Sequence, residues 1–133
     1  MTVRGRWAIA LSTLAVVAAL ALLFWPRPSV PVDVAGQAGP HQVRLLIETP
    51  AVGLQDLTVD VPGDVERLVV APTMVEMGHA SPPVTATPEA AGRFRAPGVE
   101  FFMPGRWDVT VTVHGSGGTD EVVLPVLIAP RGR

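Results

Sequence analysis

The hydrophobic and polar positions of this chain follow two different patterns. From Trp7 to Trp25 no side chain is ionisable, and apolar residues fill the run without leaving a polar face. As a helix, these nineteen residues would span about 28 Å, close to the roughly 30 Å hydrocarbon core of a bilayer. Tryptophans stand at both ends, as interfacial anchors do. Beyond residue 40 the period falls to two. Leu57, Val59 and Val61 alternate with Thr58 and Asp60, and Trp107, Val109, Val111 and Val113 alternate with Asp108, Thr110 and Thr112. Such alternation predicts strands with one buried face.

Turn chemistry divides the second regime. Pro62-Gly63-Asp64, Pro97-Gly98, Pro104-Gly105 and Gly115-Ser116-Gly117-Gly118 are read as reversals. Strands are expected at 41–49, 54–61, 65–71, 84–87, 92–96 and 107–114, with a brief apolar segment at 99–103. The last is expected at 121–129, where Pro125 argues for an edge or a bulge. Seven or eight short strands without helical periodicity predict an all-β, immunoglobulin-like two-sheet β-sandwich, preceded by an N-terminal transmembrane helix. The expected organisation is an anchor over residues 1–26, a Pro/Gly-rich stalk over 27–40 and a β-sandwich domain over 41–130. Trp107 is the expected plug of the core.

Charge sets the orientation. Arg4 and Arg6 precede the apolar run and only Arg27 follows closely, which favours a cytoplasmic N-terminus and an extracytoplasmic (periplasmic) body. A cleavable signal peptide is the rival reading. It calls for a small-x-small site, where this chain has Leu22-Leu23-Phe24-Trp25-Pro26. All twelve acidic residues follow residue 30, against seven arginines there, so the body carries about −5. No basic stripe is available for phosphates, which argues against nucleic acid as a partner and mildly favours a cation.

Cysteine is absent, which excludes disulfides, thiolate metal sites and cysteine nucleophiles. The sequence holds none of the motifs of hydrolases or phosphate-binding loops, and no enzymatic activity is expected. The one chemically distinctive stretch is Met74-Val75-Glu76-Met77-Gly78-His79. Thioether and imidazole together suit copper, and are poor partners for Mg²⁺, Ca²⁺ or structural zinc. A regular strand would put Met77 and His79 on one side and Met74 on the other, so convergence requires a bend, for which Gly78 supplies the freedom. Met103 can join only if its segment packs alongside. Against this stands the ordinary use of methionine as a core gap-filler. His41 and His114 are expected to be exposed rather than liganding.

With Met74, Met77, Gly78 and His79 followed by Gly92 and Phe94, and then by Met103, Gly105 and Trp107, the chain resembles the YtkA-like domain and is similar to the FixH family of membrane-anchored proteins. The resemblance covers roughly residues 40–130. It implies a non-catalytic domain linked to copper handling or to assembly of respiratory copper centres. Val75-Glu76 and Phe94 depart from the usual pattern of small or apolar residues and tyrosine. Two functions follow as expectations. One is a membrane-anchored copper-binding or copper-delivery domain holding copper, Cu(I) rather than Cu(II), through Met74, Met77, His79 and Met103. The other is a metal-free structural or interaction module, held to lipid by its helix, that docks a membrane protein such as an oxidase subunit or a metal transporter.

Overall fold

The computed structural model describes residues 3–25 and 30–131, so the end of the expected anchor at 26 and the first part of the expected stalk at 27–29 lie outside the described residues. Helix α1 runs from Val3 to Phe24, long and apolar enough to cross a membrane. Its hydroxyls need no water: Ser12 Oγ donates to the Ala8 carbonyl at 2.8 Å and Thr13 Oγ1 to that of Ile9 at 2.9 Å. In lipid every polar group has to be satisfied internally, and these two are.

Among the described residues the body is β apart from one 3-10 turn. Nine strands follow: β1 Val32–Ala38, β2 His41–Ile47, β3 Gly53–Asp60, β4 Arg67–Met74, β5 His79–Ala80, β6 Val84–Ala90, β7 Arg93–Phe101, β8 Gly105–Gly115 and β9 Gly118–Ile128. Every pairing between strands is antiparallel. The order is β1-β2-β3-β7-β6-β4-β8-β9, with β5 against β4.

Two separate sheets were expected, and the ladders run differently. The first half of β6 (Val84–Ala86) pairs with β4, while its second half (Thr87–Ala90) pairs with β7. One strand thus joins the two halves into a single sheet that nearly closes on itself. At the seam β1 packs on β9 so tightly that a Cβ on Gly36 would lie 2.8 Å from the side chains of Leu124 and Val122. The expected stalk is also corrected here. Residues 32–38 form a full strand, in register from Val32↔Ile47 to Ala38↔His41.

Alternation places the core as expected. Leu57 and Val59 of β3, Trp107, Val109, Val111 and Val113 of β8, and Leu124, Val126 and Ile128 of β9 are buried. Trp107 is wholly enclosed, edge-on to Phe101 (5.3 Å between centroids) and Phe102 (4.9 Å). Its indole N–H donates to the Met103 carbonyl at 3.0 Å, which satisfies the one polar atom of the plug. Pro125 lies on β9, the last strand of the order, as its missing N–H requires. Pro97-Gly98 does not turn the chain. It forms a bulge within β7, where the register against β3 shifts between Gln55 and Leu57, and the Gly98 N–H donates to Asp56 Oδ1 at 3.0 Å.

The outer face of β1, β2, β3 and β7 carries a ladder of alternating charge. Arg44 forks onto Asp33 (2.8 and 2.6 Å) and Arg93 forks onto Asp60 (2.7 and 2.9 Å). Arg95 pairs with Asp56.

Candidate functional site at the proximal end

Register fixes which loops share an end. The start of β1, the end of β4 with β5, the β7–β8 turn and the end of β9 all lie at the end nearest the helix in the chain, here called proximal. The β1–β2, β3–β4, β6–β7 and β8–β9 turns lie at the other, distal end.

The Met-rich run makes the bend that its convergence needs. After Met74 the chain takes one 3-10 turn, Val75–Met77, capped by Gly78 in the left-handed region (φ 64°), whose N–H donates to the Val75 carbonyl at 3.2 Å. The reversal sets His79 directly opposite Met74 in the β4–β5 ladder. Residues so paired carry their side chains on one face. The partner of His79 is therefore Met74, and Met77 sits on the outer limb of the turn.

The three methionines have different surroundings. Met74 is 5% exposed and belongs to the core. Its Cε lies so close to Gly105 that a Cβ there would stand 2.9 Å away. Met77 is 51% and Met103 36% exposed. The His79 ring stacks at a tilt on Phe102, with centroids 5.9 Å apart, which brings the β5 and β7–β8 segments together. Thus the register and ring contacts gather Met74, His79 and Met103 at one end, with Met74 turned inward and Met77 outward. Among the described residues, no group of three or more His, Asp or Glu side chains is placed to hold a metal ion. A metal here would depend on thioethers.

Phe102 joins these residues without being a ligand candidate by residue type. Its signal is alternation: Phe101 points in and Phe102 points out, an aromatic left at the surface beside Met103. Val75, 62% exposed, is a further apolar side chain at the surface of the 3-10 turn at this end. One buried polar atom nearby, the Ser81 hydroxyl, has no hydrogen-bond partner in the protein.

His41 and His114 are at the distal end and half-buried, not exposed as expected. His114 accepts at Nε2 from the Arg67 guanidinium at 3.3 Å. That contact leaves Nδ1 to carry the proton toward Thr119 Oγ1 at 3.0 Å, a structural arrangement at the base of the β8–β9 hairpin.

No protein-family model matches the chain, and no curated protein is similar to it at a significant level. Two solved structures share its fold. One is an engineered protein, with a TM-score of 0.50 at 23% identity, over 77% of this chain and 21% of that one. The other is CopC from Methylosinus trichosporium OB3b, with a TM-score of 0.50 at 15% identity, over 77% of this chain and 98% of that one. The chain thus spans about a fifth of the first and nearly all of the second. At these identities the likeness is one of architecture: a single N-terminal membrane-spanning helix carries a CopC-like β-fold.

Proposed function

We propose that this protein is a membrane-anchored, extracytoplasmic, non-catalytic interaction module that docks a membrane protein through the patch formed by Val75, Met77, Phe102 and Met103. The observation that carries this reading is the separation of the methionines. Met74 serves the core, whereas Met77 and Met103 are at the surface beside an exposed Val and Phe. Unbranched thioethers re-pack readily and suit adaptable contact surfaces, and grouped exposed apolar side chains mark docking sites. The arginines before α1 support an extracytoplasmic body. The resemblance to YtkA-like and FixH proteins points to an oxidase subunit or a metal transporter as the class of partner.

A photoreactive benzoylphenylalanine at Met77 or Phe102 of the full chain in native membranes tests it. The expected result is one discrete adduct from both positions and none from the same probe at Ser116. Adducts of equal yield from all three positions, or none at all, would contradict docking through this patch.

A second reading, copper carriage, is favoured by the cross-strand pairing of Met74 with His79 and the approach of the Met103 turn. The donors suit Cu(I). Their placement fits less well, because Met74 is packed into the core while Met77 faces out. His79 and Met103 would hold the ion first, and Met74 would have to turn from the Gly105 wall to complete the set.

A further inference from the structure

The exposed apolar residues of the body are distributed unevenly from end to end. Of the eight large hydrophobics exposed among the described residues from Val30 onward, only Val123 lies away from the proximal end. Val75, Met77, Phe102 and Met103 form the patch already described. Val30 (82% exposed), Leu54 (70%) and Leu127 (70%) complete a ring around the same rim. Leu54 points outward from β3, across from Glu100 of β7, and Leu127 points outward from β9, across from Arg106 of β8. These two lie on different walls of the nearly closed sheet. An open apolar groove of about 710 Å³, lined by Val30, Pro31, Leu127 and Pro130 among others, runs along the rim.

A one-sided protein partner would explain a patch on one wall. An apolar ring on several walls at one end fits a plane. The chain supplies that plane: Val30 follows Trp25 by only five residues, a reach of at most about 18 Å fully extended. Tryptophan at the end of a membrane-spanning helix marks the headgroup level. We infer that the proximal rim of the barrel rests on the bilayer itself, with Leu54, Leu127 and Val30 seated in the headgroup layer. Exposed Glu48, Glu76 and Glu100 stand near the same rim together with exposed Arg106 and Arg131, so its charge is mixed and the surface it suits is zwitterionic rather than strongly anionic lipid. Seated this way, the Met77–His79 turn is held at the level where a membrane protein would meet it. The inference rests on α1 crossing the membrane and not on the docking reading.

Because the chain has no cysteine, single nitroxide labels can be placed cleanly. The full chain is reconstituted in phosphatidylcholine vesicles as Leu54→Cys, Leu127→Cys and, for the distal end, Ser116→Cys. Accessibility to oxygen and to a water-soluble nickel chelate is read for each. Both leucines are largely exposed, so the exchange spares the core, and Val30→Cys gives an independent third site. The expected result is an oxygen-to-nickel accessibility ratio severalfold higher at Leu54, Leu127 and Val30 than at Ser116. Ratios equal to that of Ser116 would overturn the inference. So would labels immobilised and shielded from both reagents, since protein, such as a second copy of this chain, would then cover the rim. Either failure leaves the adducts from Met77 and Phe102 as a separate test of docking.

Discussion

Met74 and Met77 are three residues apart and do different work. Met74 fills space between β4 and the Gly105 backbone, whereas Met77 projects from the 3-10 turn. Removing a buried methionine costs the transfer energy of its atoms plus the cavity they leave, and exposed side chains away from special geometry contribute little. Met74→Ala is therefore expected to lower unfolding free energy by about 2–5 kcal/mol, and Met77→Ala to leave it within about 0.5 kcal/mol, both read by denaturant titration. Comparable losses at the two positions would mean that Met77 packs as Met74 does. Sequence alone makes both residues soft-ligand candidates. What separates them is the direction of each side chain after the bend, which Gly78 permits but does not specify. Phe102 was legible in principle, as the outward half of the Phe101-Phe102 pair.

Among the elements, strands with clean alternation were readable, and β3 and β8 lie within one or two residues of the expected ranges. β1 was hidden in a Pro/Gly-rich stretch. Its Gly36 has a non-local cause, the approach of β9, which no local pattern displays. Pro97-Gly98 has turn chemistry but is a bulge, because Asp56 on the neighbouring strand captures the freed Gly98 N–H. The switch of β6 from β4 to β7 is likewise a matter of long-range pairing, so alternation announced a barrel-like body no differently from a sandwich.

The charged ladder gives the element scale its own test. Hydrogen bonds from Arg44, Arg95 and Arg93 hold Asp33, Asp56 and Asp60 respectively below the usual carboxylate range. Their folded pKa values lie below the roughly 3.9 of an unfolded aspartate. The stability they add is thus fully present above that value and is lost as pH falls through the folded values. Denaturant midpoints are expected to stay level from neutral pH to about 5 and to fall below about 4, with a shallower fall in Asp60→Asn. An equally steep fall in that variant would remove the Arg93–Asp60 pair from the account.

At the scale of the whole molecule, one end of the barrel gathers what the chain spreads over a hundred residues. The Met-rich turn, Phe102-Met103 and the outward leucines all lie at the proximal rim, where the body begins after the anchor. The anchor and the Met run could be read from composition and residue type. The rim could not, because Val30, Leu54 and Leu127 become neighbours of the same surface only once the sheet closes. On the proposed reading this end makes contacts rather than carrying a metal. Anaerobic titration of the full chain in detergent with Cu(I), against a chromophoric competing chelator, tests that claim most directly when set beside the Met77→Ala/His79→Ala variant. No stoichiometric binding above the level of the variant is expected. One equivalent of Cu(I) held by the parent chain and lost in the variant would contradict it and make copper carriage the function.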